Sequence, residues 1–279
     1  MRTILVALLL VTLLSGCATT RLPDNLASSI LDSDDLNTVQ DGLPSYLLML
    51  DALVETYPRR ASLQRTAASL NGAYAGVFIP PEQLERRKAM SSKALNYAFD
   101  AFCTYDSNAC GLRDISPREL PETLARWQRE RDLPYLYTLG TSWATYIQNH
   151  SDDWLVVAQL GQAEAVLQQS VSIDPAYEHG TALLYLGVMN SILPPSLGGK
   201  PDVAQGYYEE AMAVSEGRNL IVPLYYAQQY ARLMFDRELH DRLLQELLSQ
   251  DPYVEGLTLQ NVYAQQEAQR LLLQADEYF

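Results

Sequence analysis

The stretch Gly140-Thr141-Ser142-Trp143-Ala144 comes nearest to a catalytic signature in this chain. A nucleophile elbow, Gly-x-Ser-x-Gly, lifts its serine onto a strained strand-to-helix turn. Here alanine replaces the closing glycine and the surrounding apolar spacing is helical, so Ser142 reads as a helix residue. The three histidines, His150, His179 and His240, lie far apart, and no His-Glu-x-x-His run is present. Gly198-Gly199 lacks the Gly-Lys-Ser/Thr ending of a phosphate loop. Gly199 and Lys200 can still offer amides and an ammonium to an anion, or serve as a plain loop whose glycines allow positive φ. Asp32, Asp34 and Asp35, and Asp152 with Asp153, read as solvated helix starts, and Glu209 with Glu210 as an outer helix face. No metal set, cofactor site or catalytic constellation follows, and the expectation is a protein without enzymatic activity.

Cys17 is placed for a different chemistry. Arg2 gives a positive start, Ile4 to Leu14 is an apolar run broken by Thr12, and Leu14-Ser15-Gly16-Cys17 follows. A signal peptide has this layout, and the run is far shorter than the ~20 apolar residues of a spanning helix. The cysteine stands where cleavage would leave it first, as in the bacterial lipobox. Residues 1–16 are thus expected to be a lipoprotein signal peptide and Cys17 to carry lipid. Each acyl chain contributes ~0.8 kcal/mol per buried CH₂, so several anchor a protein stably. Ala18 stands where an aspartate would usually retain the protein in the inner membrane, so the expected location is the outer membrane, facing the periplasm.

The chain has 34 acidic and 20 basic residues, a net charge of −14. Nucleic-acid binders need a basic footprint, and none is present overall. The same charge disfavours docking on anionic lipid, which leaves the acyl anchor as the membrane contact. Cys103 and Cys110 are spaced so that they can pair across the turn between them, or stay free, since geometry decides. Eighteen tyrosines stand against five phenylalanines. Tyrosine suits walls that are partly apolar and partly wet. Tyr185, Tyr208, Tyr225, Tyr226 and Tyr230, with Trp143 and the Gly198-Gly199 loop, form the candidate groove for a ligand or partner. Part of that group can equally be a helix seam. Trp127, Trp143 and Trp154 are expected in the core.

The elements that must position these residues are helices. Residues 17–42 are polar and read as a lipidated tether with a short helical piece; 43–279 read as one helical domain. Apolar spacing predicts helices near 44–57, 60–77, 82–103, 117–129, 133–148, 152–171, 177–192, 201–215, 220–235, 237–249 and 257–276. Ser116-Pro117-Arg118-Glu119 reads as a capping box, and Asp174-Pro175 and Asp251-Pro252 as stops. Within the helices a tetratricopeptide-like pattern recurs. Ala163, Leu167, Ser170 and Pro175 occupy its offsets 0, 4, 7 and 12. Ala204, Tyr208 and Ala211 fill the first three, and Ala94, Ala98 and Ala101 share the spacing. Leu139-Gly140 and Leu186-Gly187 resemble the Leu-Gly pair of a first helix. The expected fold is all-α, a degenerate tetratricopeptide-like repeat array, or α-solenoid.

Residues 132–279 resemble the T component associated with TRAP transporters. The resemblance rests on Asp132-Leu133-Pro134-Tyr135-Leu136-Tyr137 with Trp143, on Leu167 to Pro175 followed by Gly180, and on Pro194-Pro195-Ser196-Leu197-Gly198-Gly199. It continues through Ala204, Tyr208 and Ala211, Ser215-Glu216-Gly217 and Pro223-Leu224-Tyr225-Tyr226-Ala227. Asn261, Ala264, Ala268, Leu271, Leu272, Asp276 and Phe279 resemble the family's last helix and Asp-x-x-Phe ending. Two departures stand out: Gln169-Ser170 where the family usually has Arg-Ala, and Asn96-Tyr97-Ala98-Phe99-Asp100 in place of its tyrosine-arginine-glycine-arginine run. The resemblance implies association with a periplasmic TRAP substrate-binding protein, and binding or passing on of a small solute, such solutes being often acidic or hydrophobic. The rival expectation is a tetratricopeptide-like scaffold lipoprotein for envelope or pilus assembly. The oligomeric state stays open, a homo-oligomer included.

Overall fold

The computed structural model describes residues 22–192, 195 and 199–279; Cys17 and Gly198 lie outside them. Those residues form helices and no strand. In chain order they are α1 (Leu22–Leu31), α2 (Leu36–Thr56), α3 (Ala61–Ala73), α4 (Leu84–Tyr105), α5 (Leu120–Leu124), α6 (Leu133–Asn149) and α7 (Trp154–Val157). Then come α8 (Leu160–Ile173), α9 (Thr181–Ser191), α10 (Pro201–Val214), α11 (Ile221–Tyr225), α12 (Arg237–Leu248), α13 (Thr258–Leu273) and α14 (Ala275–Tyr278). π-helical turns extend α3 over Tyr74–Phe78 and α11 over Tyr226–Ala231. Among the described residues no helix is long and apolar enough to cross a membrane.

Most helix boundaries agree with the apolar spacing, and the exceptions have physical causes. Helix α2 begins at Leu36, inside the segment expected to be tether, and runs through Pro44. Asp35 caps it by accepting from the amides of Asn37 and Thr38. An interior proline costs about 3 kcal/mol. Burial of Val39 and Leu43 against α3 offsets this, at roughly 1.5–3 kcal/mol each. Burial thus overrides the propensity that made Pro44 look like a helix start.

The helix expected over 117–129 contracts to Leu120–Leu124. Ser116 Oγ donates to Glu119 Oε2 at 3.0 Å, so the reciprocal capping box does not form. The Trp127 indole donates to Asp106 Oδ2 at 2.9 Å, and the Trp127 carbonyl accepts from Gln169 Nε2 at 2.8 Å. Those two bonds draw the chain out of the helix. Trp154 is 79% exposed and Leu155 81%, contrary to a core assignment. The helix expected over 152–171 breaks between them and α8, where Gln159 turns in to accept from Trp143 Nε1 at 2.8 Å. The helix expected from 177 starts at Thr181, because Glu178 and His179 adopt left-handed φ of 48° and 54°.

Two consecutive helix pairs pack alike. In α6 against α8, a Cβ at Gly140 would lie 2.7 Å from Leu167 Cδ2. In α9 against α10, a Cβ at Gly187 would lie 3.1 Å from the Tyr208 ring. Each glycine lets the bulky residue of its partner helix sit on the backbone. Ala163, Leu167 and Ser170, Ala204, Tyr208 and Ala211, and Ala94, Ala98 and Ala101 are all at most 1% exposed. Small residues therefore face partner helices at the spacing noted in the sequence. Cys103 and Cys110 are joined as a disulfide, with Cα atoms 4.5 Å apart.

The first and C-terminal helices of the described residues meet. The Gly256 amide donates to Asp32 Oδ1 at 2.5 Å, and the Tyr253 hydroxyl to Asp34 Oδ2 at 3.2 Å. Leu259 of α13 joins Val39, Leu43 and Leu47 of α2 in one apolar cluster. Asp32 and Asp34, expected to be simply solvated, thus each receive a long-range hydrogen bond, and the two bonds fasten the C-terminal helices to the first ones.

Candidate functional site

The five tyrosines and one tryptophan that the sequence brings forward separate into two groups. Tyr208, Tyr226 and Tyr230 are 0%, 4% and 6% exposed. Tyr208 and Tyr226 stack with centroids 4.8 Å apart at 8°, and Tyr226 meets Tyr230 at 5.2 Å. Their polar ends are occupied: the Tyr208 hydroxyl lies 3.1 Å from Ser191 Oγ, and Tyr230 donates to Gln205 Oε1 at 2.9 Å. Burial, with Glu209 nearby, raises the Tyr226 hydroxyl to about 12. These three form a seam between α10 and the π turn. Trp143 is fully buried, edge-on to Phe99 at 5.0 Å, and belongs to the core. None of the four presents a free surface to a ligand, which corrects their assignment to a groove.

Tyr185 and Tyr225 behave differently. Both lie deep in the protein, where burial pushes their hydroxyls up, yet both keep accessible surface. Each thus combines a deep position with retained accessible surface. Tyr137 and Tyr263 share this setting, again with burial as the main cause of the raised hydroxyl. Tyr185 Oη is 3.4 Å from Thr145 Oγ1. Tyr137 meets the Tyr177 ring edge-on at 5.3 Å. Among the described residues the Tyr225 hydroxyl has no hydrogen-bond partner. The neighbouring hydroxyls of Tyr263 and Tyr185 raise it further, and the charge of Arg87 opposes them.

Secondary structure explains the split. The π turn starts at Tyr226, so the wider coil sets Tyr226 and Tyr230 against α10 while Tyr225, the last α-helical residue before it, faces inward. Single π turns of this kind recur at functional sites. Arg87 of α4 completes the wall. Its Nε is buried without a hydrogen-bond partner among the described residues, an unusual state for a guanidinium. An aromatic wall with hydroxyl tips and one unpaired cation can hold an apolar body and orient a polar end.

Sequence reasoning found Tyr185 and Tyr225 and missed Tyr137, Tyr263 and Arg87. Tyr137 stands in the Leu-Pro-Tyr-Leu-Tyr stretch, a usable signal; Arg87, distant in sequence and inside an ordinary charged helix start, offers none. Gly199 precedes α10, where the Lys200 amide donates to Asn190 O at 3.0 Å, a link between paired helices. Ser142 is buried within α6. No group of three metal-ligating side chains occurs among the described residues.

Comparison with curated proteins found no match. The family profile of the TRAP transporter T-component matches residues 32–279, from just before α2 to the end of the chain. Its start at residue 32 coincides with the acidic cluster that fastens the array's ends. The chain belongs to the TRAP transporter T-component family, a transport family rather than an enzyme family.

Proposed function

We propose that this chain associates with the periplasmic substrate-binding protein of a TRAP system and holds or passes on a small solute along its tyrosine-lined inner wall. Family membership supports the transport role. The inner wall carries the solute reading: Tyr137, Tyr185, Tyr225 and Tyr263 are deep, yet retain surface. Such a wall favours a solute with an apolar or aromatic body over a fully hydrated ion. The helix pairs with glycine-on-bulky-residue contacts support a tetratricopeptide-like array as the scaffold. The Cys17 motif supports a lipid anchor, with the domain in the periplasm. Anchoring would raise the local concentration at which a diffusing binding protein is met.

Affinity capture from envelope extracts with the full-length lipidated chain tests the partner. A TRAP-type solute-binding protein is the expected catch. Recovery of envelope or pilus assembly machinery without it would overturn the reading. Cys17→Ser should release the chain from membranes into the soluble fraction, and continued membrane association would defeat the anchor.

A further inference from the structure

A half-open cavity of about 400 Å³, with Asn96 and Arg113 at its exposed side, has a lining distinct from the tyrosine wall. Its lining is Ser92, Asn96, Arg113, Tyr146, Gln159 and Gln162, all side chains with polar groups. The volume falls among small-molecule sites, which run from roughly 300 to 1,000 Å³. Its polar groups are held in place. Gln159 Oε1 accepts from Trp143 Nε1 at 2.8 Å, and Gln162 Nε2 donates to Ile115 O at 3.2 Å. Arg113 Nη2 donates to Asn96 Oδ1 at 3.0 Å, and its guanidinium lies 4.7 Å over the Phe99 ring. The turn that carries it, Leu112–Asp114, is fastened on one side by the Cys103–Cys110 disulfide and on the other by the Gln162 bond to Ile115.

What the lining lacks is a countercharge. In a chain of net charge −14, no carboxylate among the described residues lies within 4.0 Å of Arg113. The nearby cation Lys88 is already taken by Asp152 at 2.7 Å. The Tyr146 hydroxyl has no hydrogen-bond partner among the described residues. A guanidinium seated over an aromatic ring presents a fork suited to a planar carboxylate. Arg113 is the one lysine or arginine of the described lining, and His150 stands behind it against Ser92 and Tyr146.

We propose that this cavity binds a small polar carboxylate, held by Arg113 through its carboxylate and by Tyr146, Gln162 and Asn96 through its remaining polar atoms. It is separate from the tyrosine wall and does not depend on that reading.

The indole N–H of Trp143 touches the cavity through Gln159, so its ¹⁵N-correlated NMR resonance is the reporter. The full domain is titrated with sodium acetate and with sodium glutamate, against sodium chloride at matched ionic strength. Both carboxylates should shift the resonance saturably, glutamate at lower concentration, and chloride should not. Arg113→Gln should weaken glutamate binding roughly tenfold or more by removing a charge-assisted bidentate contact. Arg113→Lys, which keeps charge but loses the fork, should weaken it less, and serves if the glutamine variant does not fold. Tyr225→Phe should leave the titration unchanged. Absence of a saturable shift with both carboxylates, an equal response to chloride, or unchanged affinity in both Arg113 variants overturns the proposal.

Discussion

Two tyrosine surfaces in one helical array make opposite use of the same side chain. In the seam, Tyr208, Tyr226 and Tyr230 stack ring on ring, and the hydroxyls of Tyr208 and Tyr230 have internal partners. On the inner wall, Tyr225 sits one residue before the seam member Tyr226 and has a hydroxyl without a partner. Adjacent residues on one helix thus differ in whether the fold satisfies the hydroxyl. A phenol is suited to both tasks because its ring packs like phenylalanine while its hydroxyl needs either a partner or solvent. Whether the fold satisfies that hydroxyl is what separates the two groups.

The sharpest test of the contrast lies in the seam. Tyr208→Ala should destabilise the protein by about 3–5 kcal/mol, as for other fully buried aromatic truncations, read from urea unfolding followed by circular dichroism. Tyr225→Ala should cost clearly less, because Tyr225 retains accessible surface where Tyr208 has none. Equal losses would erase the distinction. Next in size is Gly187→Ala. Its new Cβ would sit 3.1 Å from the Tyr208 ring, which must shift off Tyr226, at a cost of about 1–3 kcal/mol. The same change at Gly206, where nothing lies within 4 Å, should be neutral or mildly stabilising, since alanine favours a helix.

The all-helical fold was largely legible in the sequence, because a helix that buries one face writes a period of 3.6 into its apolar residues. Gly140 and Gly187 were legible for a related reason, since close helix approach demands a small residue at a fixed spacing. What failed was decided by single long-range bonds. Nothing local says that the Trp127 carbonyl will bond Gln169, or that Gln159 will turn towards Trp143 and leave Trp154 outside. The candidate site was half legible. Tyr185 and Tyr225 stood out by composition, but their separation from Tyr208, Tyr226 and Tyr230 depends on a π turn that no residue pattern announced. Arg87 was invisible, because its relevance arises only when α4 faces α11 and α13 across the interior.

A pH series extends the comparison. Burial raises the Tyr226 hydroxyl from 10.0 to about 12. The folded state therefore keeps a proton that the unfolded chain gives up. The stability linked to this group is fully present below pH 10 and is lost as pH rises towards about 12. Chemical denaturation between these limits should show stability falling with pH, and Tyr226→Phe should flatten part of that slope. An unchanged slope would mean that the seam hydroxyl ionises freely in the folded protein.

The smallest effect on stability carries the most weight for function. Tyr208→Phe removes a hydroxyl that lies 3.1 Å from Ser191 Oγ in the core, and should cost about 1 kcal/mol. Tyr225→Phe removes a hydroxyl with no internal partner, so its stability should stay within about 0.5 kcal/mol of the parent, like a neutral substitution. If the inner wall holds a solute by its polar end, the ranking reverses for binding. Tyr225→Phe should weaken capture of an envelope-extracted solute, measured by mass spectrometry of the purified protein, while Tyr208→Phe should leave capture intact at temperatures where it is folded. A Tyr225→Phe protein that loses stability like Tyr208→Phe would place both residues in one packed core. A Tyr225→Phe protein that is stable and captures the same solutes would leave the inner wall without a binding role for this hydroxyl, and would shift attention to Arg87 as the group that fixes a ligand.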